Sequence, residues 1–413
     1  MRKALLATAV AAALLPAAAF ATTGYFSHGY GIKAKSMGGV GIALPQDSLA
    51  AATNPAGMAL IGNRMDLGVD WFKPDRGAEV VGNPLFSGSY DGNGTESFLI
   101  PEFGYNRMLN PNLALGVSVY GNGGMNTEYT RSPFGALGGS SPAGVDLSQL
   151  FIAPTIAWKS GAHAFGASLN LAYQRFQARG LQPFAGFSSD PAHLTDQGYD
   201  SSTGWGVRVG WTGQITPSVT LGATYQTKTQ MGKFEKYKGL FAEQGGFDIP
   251  ENYGVGVAWK AMPGLTLAAD VQRINYGDVA SVGNPVNCLF TGCQLGADNG
   301  AGFGWQNTTV YKIGAMYELN SSWTLRGGFV TLKQPIPANQ TLFNVLAPGV
   351  VENHLTLGAT WQMSKASELT LGYMHAFENK VNGSNSIPPA LGGGEANLRM
   401  SQDSLGIAWG WKY

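Results

Sequence analysis

From about residue 63 to the C-terminus, apolar residues take every second place in one run after another. In Met65-Asp66-Leu67-Gly68-Val69-Asp70-Trp71 the intervening positions are Asp and Gly. The pattern recurs at Leu113, Leu115, Val117 and Val119, at Ile152, Pro154, Ile156 and Trp158, and at Leu355, Leu357, Ala359 and Trp361. A period of two is the signature of a β-strand with one wet and one apolar face. Tight polar turns recur near Asn110-Pro111-Asn112, Ser160-Gly161, Thr216-Pro217-Ser218, Met262-Pro263-Gly264, Asn320-Ser321-Ser322 and Ser364-Lys365-Ala366-Ser367. Five of them run into similar strand starts: NLALG, VTLGA, LTLAA, WTLRG and LTLGY.

Longer irregular stretches lie between these hairpins, near 75–95, 130–145, 180–201, 232–248, 277–304, 333–349 and 381–399. Short turns at one end and long loops at the other are the habit of transmembrane β-barrels. Seven loops and six turns predict about fourteen antiparallel strands. They fall near 63–74, 96–108, 111–129, 146–158, 163–178, 202–214, 218–231, 249–260, 264–276, 305–318, 322–332, 350–363, 367–380 and 400–413. Trp158, Trp259, Trp323, Trp361, Trp409 and Trp411 sit near the short turns or the C-terminus, the height of an interfacial aromatic girdle.

Residues 22–62 break the pattern. They are rich in Gly, Ala and Ser and contain one acidic residue, Asp47. A compact plug ahead of the barrel, filling its lumen, fits such a stretch. Before it, residues 1–21 read as a secretory signal peptide: Arg2 and Lys3, an apolar run from Ala4 to Leu15, and Ala19-Phe20-Ala21. The barrel then occupies 63–413.

Composition agrees. Charged residues make up 13% of the chain, against ~25% in ordinary soluble domains. Aromatics make up 11% and Gly numbers 59, yet no window after the signal peptide offers a helical span of ~20 apolar residues. An exported chain of this kind points to an outer-membrane barrel. Without the signal peptide, Lys+Arg falls from 26 to 24 against 26 Asp+Glu, so no basic surface for nucleic acid is expected.

The stretch GYGIKAKSMGGVGIALPQDSLAAATNPAGMA resembles the N-terminal hatch of the FadL family of outer-membrane transporters. Ser36-Met37-Gly38-Gly39 leads into the triplet Asn54-Pro55-Ala56, just before the first strand. One such triplet, without apolar helices, excludes the aquaporin use of NPA. The last strand, with Leu405, Ile407, Trp409, Trp411 and a terminal Tyr413, resembles the C-terminal signal for barrel insertion. The resemblance implies fourteen strands, hatch gating at Gly38, Gly39, Asn54, Pro55 and Ala56, and a monomer in the lipid bilayer beneath lipopolysaccharide. It also implies a hydrophobic ligand and assembly by barrel-insertion machinery. Long-chain fatty acids are the leading ligand, with aromatic or aliphatic hydrocarbons second. A permanently closed structural or adhesin-like barrel is the alternative of another class.

Candidate sites follow. Gly121-Asn122-Gly123-Gly124 interrupts the third strand. Glycine runs in strands mark bulges or kinks, and the resemblance implies a side window there; the start of a loop is the other reading. Two loops hold apolar clusters, with Phe184 and Phe187 in one and Leu240 and Phe241 in the other, next to Lys236 and Lys238. They suggest a hydrophobic ligand surface or loop packing, with a lysine available for a carboxylate. Arg175, beside Phe176, falls where the resemblance implies a carboxylate anchor, and an internal salt bridge is its alternative role. The family's second basic position is Gln306 here. Cys288 and Cys293, the only cysteines, predict a local disulfide in an oxidising compartment. Five scattered histidines lie in no catalytic frame, so neither an enzyme, a metal nor a cofactor is expected.

Overall fold

The computed structural model describes residues 22–413; the expected signal peptide lies outside the described residues. Fourteen long strands form one antiparallel sheet: β1 (Arg64–Val81), β2 (Phe98–Asn110), β3 (Leu113–Tyr129), β4 (Ala143–Ser160), β5 (His163–Arg179), β6 (Asp200–Gln214), β7 (Val219–Gln226), β8 (Asn252–Met262), β9 (Leu265–Ile274), β10 (Thr308–Glu318), β11 (Trp323–Leu332), β12 (Asn353–Ser364), β13 (Ser367–Val381) and β14 (Glu395–Lys412). Each pairs with its neighbour in sequence. β14 returns to β1 in a ladder running from Arg64↔Lys412 to Val81↔Glu395, so the barrel closes. Two short strands, Gly88–Asp91 and Gln230–Met231, add to its outer rim. Closure leaves no open sheet edge, which a bilayer requires. Among the described residues no helix is long and apolar enough to cross a membrane.

The period of two is realised as two faces. Along β1, Leu67 and Trp71 are exposed on the outside while Asp66, Asp70 and Phe72 are buried inside. Trp158, Trp259, Trp323, Trp361 and Trp409 are exposed near the short turns, and Trp323 and Trp361 are stacked register partners. Trp411 stacks on Trp409.

Three strand ends lie five or more residues from expectation. β1 continues seven residues past 74, and β14 begins at 395 rather than 400. Both extensions pair with each other above the apolar band, where Ala78, Val80, Ala396 and Leu398 point inward and Asp75, Glu79, Asn397 and Arg399 outward, so the alternation is inverted. β7 stops at Gln226 instead of 231; after a break, Gln230 and Met231 resume the pairing with β6 at Trp205 and Gly204.

Residues 22–62 fill the lumen as a plug without long strands. It contains α1 (Ile32–Lys35) and two short 3-10 turns, Ala50–Ala52 and Pro55–Ala59, and almost all of it is buried. The barrel wall supplies the polar groups that such irregular backbone needs.

Candidate functional site

The wall meets the plug through carboxylates on the inward face of the strands. Asp270 accepts hydrogen bonds from the Gly41 and Ile42 amides at 2.8 and 3.1 Å. Glu102 accepts from Gly31 and Ile32 at 3.2 and 2.8 Å, and Asp66 accepts from Ser48 at 2.9 Å. Lys35 of α1 lies 2.9 Å from Asp70 and 3.6 Å from Glu102. Burial disfavours its charge, but those two carboxylates outweigh burial and hold its pKa above the ordinary lysine value. Lys33 pairs with Glu368, which also binds Arg64 at 2.7 Å. Sequence reading registered Asp66 and Asp70 only as lumen-facing polar residues; the signal it missed was acid at inward strand positions.

Asn54 fastens the other end of the plug. Its Nδ2 donates to the carbonyls of Ile42 and Trp211 at 2.7 and 3.0 Å, and its Oδ1 accepts from Ala56 at 3.1 Å. Pro55 opens the turn that follows, and Ala56 is fully buried. Gly38 and Gly39 have φ near +70°, and a Cβ on Gly39 would stand 1.9 Å from the His28 carbonyl oxygen. Only glycine meets both conditions.

At Gly121–Gly124 strand β3 leaves the wall. Its ladder with β2 ends at Phe103↔Val119, while its ladder with β4 continues to Tyr129↔Ala143 through an irregularity between Gly121 and Gly123. Every residue from Ser118 to Met125 is buried, so the wet and apolar faces are no longer distinct there. The freed edge pairs with the plug instead: Gly124 N donates to Tyr25 O at 2.9 Å and Ser27 N to Asn122 O at 3.1 Å. A Cβ on Gly123 would lie 1.9 Å from Tyr25 O. The four residues therefore belong to a kinked strand rather than to a loop. On the outer side Phe103, Val119 and Leu150 close over the notch.

Above the plug, the outer loops enclose a narrow apolar slot, partly open to solvent. Phe176, Phe184, Leu240 and Phe241 line it together, joined by Phe303 and Phe343. The loop clusters are thus turned inward; Phe184 and Phe241 are buried. Phe241 packs at a tilt, with its ring centroid 4.6 Å from that of Phe176 and 4.9 Å from that of Phe247, and Phe247 lies 6.1 Å from Tyr25. A continuous line of rings thus runs from the slot to the plug residue held by the kink. Phe247, Phe303 and Phe343 went unnoticed because they sit singly in irregular loops.

Other predicted residues lie elsewhere. Phe187 packs on Phe290 outside the slot lining, and Lys238 pairs with Asp190 at 3.3 Å. Arg175 is not in the lumen. It shares its strand face with the exposed Leu171 and Tyr173, and its guanidinium rests 4.0 Å above the Tyr199 ring. The expectation failed because adjacent residues of a strand face opposite ways: Phe176 points in, so Arg175 points out. Gln306 is exposed ahead of β10. Cys288 and Cys293 are joined, with Cα atoms 5.3 Å apart, in an outer loop. Among the described residues no cluster of metal-ligating side chains is present.

A fourteen-stranded barrel with an apolar outer band, an ionically wired plug and a ring-lined slot at its outer end defines a plugged membrane barrel. The chain belongs to the family described as outer membrane protein transport protein (OMPP1/FadL/TodX), whose model matches residues 8–413. It is therefore an outer-membrane β-barrel. Similar solved structures include the Pseudomonas putida toluene transporter TodX, at 19% identity over 94% of this chain and 99% of that one, with a TM-score of 0.71. A Pseudomonas aeruginosa FadL homologue matches at 16% identity over 94% and 99%, again with a TM-score of 0.71. The Ralstonia pickettii toluene transporter TbuX matches at 21% identity over 94% and 99%, with a TM-score of 0.64. At these identities the likeness shows the fold. No curated protein matches the chain.

Proposed function

We propose that the protein is a passive uptake channel for small hydrophobic molecules. A ligand enters the slot between the outer loops and passes along the aromatic line to Tyr25. Movement of the plug's first residues then releases it sideways at the kink of β3. The observation that carries this reading is the unbroken succession Phe176, Phe241, Phe247, Tyr25, Gly124. It links an apolar receptor to the point where the wall pairs with the plug instead of with its neighbour. Such a path suits a molecule that crosses a polar lipopolysaccharide layer poorly but dissolves in lipid. The hatch gate, in this reading, is the plug segment fastened at Gly38, Gly39, Asn54, Pro55 and Ala56, and the lateral opening is Gly121–Gly124.

The slot lining carries no charged side chain, so it receives a hydrocarbon body, whether a fatty-acid tail or an aromatic ring. That TodX and TbuX are toluene transporters supports an aromatic or aliphatic hydrocarbon as a ligand beside fatty acids. Uptake of radiolabelled toluene and hexadecanoate by cells with and without the gene tests the reading. Faster uptake of at least one with the gene is expected. Phe241→Ala, which removes one ring contact, should reduce it about two- to tenfold. Identical uptake in both strains would overturn the proposal in favour of a closed structural barrel.

A further inference from the structure

The short-turn end of the wall carries an arc of exposed cations with almost no acid to match them. Barrels of this kind keep their short turns on the periplasmic side. Lys365 lies in the turn between β12 and β13, Lys412 ends β14, Arg107 lies near the end of β2 and Lys159 near the end of β4. Backbone and side-chain bonds make them neighbours along the rim. Lys412 N donates to Ala366 O at 2.8 Å, Tyr413 OH to Asn106 O at 3.3 Å, and Lys159 N to Asn112 O at 2.7 Å. All four cationic residues are exposed.

Among the described residues, Arg107, Lys159 and Lys365 form no ion pair. Lys412 has Glu368 at 3.4 Å, but that carboxylate is buried and already held by Lys33 and Arg64. Apart from the chain's carboxyl end at Tyr413, the arc holds no exposed acid among the described residues. The opposite arc differs: against the turn after Lys260 stands the exposed Glu318, whose amide donates to Gly264 O at 2.8 Å. The outer rim differs too, since Lys73, Lys228 and Lys380 have carboxylates at 3.4, 3.5 and 3.3 Å. Aromatic rings fix the height of the unmatched arc. Trp158 precedes Lys159 and stacks on Phe165, and Trp411 precedes Lys412 and stacks on Trp409. Tyr105, one outward position before Arg107, stacks on Tyr413. Such rings sit at the level of the lipid headgroups, and long basic side chains beside them carry their charges into the same layer.

We infer that this arc is a docking surface for anionic phospholipids of the periplasmic leaflet. The partner is a lipid whose phosphodiester headgroup carries a net negative charge. The rings favour a lipid over an acidic protein, because they hold the cations in the headgroup layer. Charge complementarity decides which lipid. A basic segment at a membrane surface draws anionic headgroups, whereas a zwitterionic headgroup leaves the arc uncompensated. Salt screens attraction between exposed charges, so the preference must weaken as ionic strength rises.

The test uses the full-length protein in bilayers of phosphatidylcholine, with spin-labelled phosphatidylglycerol or spin-labelled phosphatidylcholine added in trace. The share of each label immobilised on the protein gives their relative affinity. At about 20 mM NaCl the wild type should prefer phosphatidylglycerol about three- to tenfold, falling towards parity at about 0.5 M. Arg107→Gln, Lys159→Gln and Lys365→Gln combined should bring the low-salt preference below about twofold. Lys73→Gln with Glu96→Gln, and Lys380→Gln with Glu378→Gln, remove outer-rim pairs at constant net charge and should leave it unchanged. Parity in the wild type would overturn the assignment and leave the arc to an acidic protein surface. A preference that salt does not reduce, one retained by the combined periplasmic variant, or one lost with the outer-rim pairs would overturn it as well. If the combined variant does not assemble, Lys365→Gln alone, in a turn outside the ladder, should lower the preference at least about 1.5-fold. No change there would count equally against the docking surface.

Discussion

The two halves of the lumen are built from opposite chemistry. The outer half is a nest of rings, with Phe176, Phe241 and Phe247 in one line of contacts, Phe184 against Phe343 beside them, and little that is charged. The inner half is ionic: Lys33, Lys35, Arg64, Asp66, Asp70, Glu102 and Glu368 tie the plug to the wall. Burial of apolar surface is non-directional, so a slot held by it tolerates a guest. Buried ion pairs are brittle, because removing one partner strands the other. The barrel therefore keeps its adaptable surface where a ligand is received and its rigid wiring where the plug is retained. Tyr25 and Phe26 are the plug residues that reach from one half into the other.

The sharpest way to break this division is at Lys35. Lys35→Met leaves Asp70 and Glu102 buried opposite an apolar side chain, a loss of about 3–5 kcal/mol for a broken buried pair. Hydrogen exchange should rise across residues 22–62 while peptides from β4 to β6 keep their protection, since the strand ladder does not involve the pair. Equal loss of protection in plug and strands would mean that the two halves form one cooperative unit.

A smaller and more local break is available at the kink. Gly123→Val places a side chain where Tyr25 O now sits, and overpacking of this kind costs about 1–3 kcal/mol. The plug's first residues should leave the β3 edge while Lys35, Asn54 and the rest of the wiring hold. The two native cysteines are bonded to each other, so a thiol introduced as Phe26→Cys is a clean reporter. Its labelling by a maleimide should accelerate in the Gly123→Val background. Unchanged labelling would show that the plug's entry segment does not depend on the kink.

The wall was legible in the sequence far better than what it encloses. Lipid outside and water or protein inside impose a period of two, and Leu113 to Val119 or Leu355 to Trp361 declare it openly. Where the outer face leaves lipid and turns polar, as in β1 beyond Lys73 or β14 before Met400, the alternation inverts, with Val80 and Leu398 buried inward, and an expectation of lipid-facing apolar residues stops short. Gly121–Gly124 could be found because glycine in a strand is anomalous, though whether it began a loop or a kink depended on the β2 pairing that ends at Val119. Arg175 shows the opposite failure. A basic residue beside an inward Phe suggested a lumen site, while its strand parity already pointed outward. Wall carboxylates that do face the lumen, such as Glu102 and Asp270, stand in unremarkable strand segments and acquire meaning only from Gly31, Ile32, Gly41 and Ile42 across the plug interface.

The smallest predicted effect would show whether the ionic half senses pH. Asp47 lies in the plug, where burial first and the neighbouring Asp66 carboxylate second push its pKa up to about 7. A released plug exposes Asp47 to water, where an aspartate titrates near ~3.9. Below that value the group is protonated in both states and makes no difference. Between about pH 4 and 7 the released plug gives up the proton while the seated plug keeps it, so seating weakens as pH rises. Above 7 the full loss is present. The Lys35 pairs do not oppose this, because a raised lysine value moves their transition further to the alkaline side. Exchange protection around Leu49, whose amide donates to Asp47 Oδ1 at 3.0 Å, should be greater at pH 5 than at pH 8 once intrinsic exchange rates are divided out. Asp47→Asn cannot ionise and should show equal protection at both. A wild-type plug held more firmly at pH 8 would reverse the sign and place the pH response in the wall carboxylates instead.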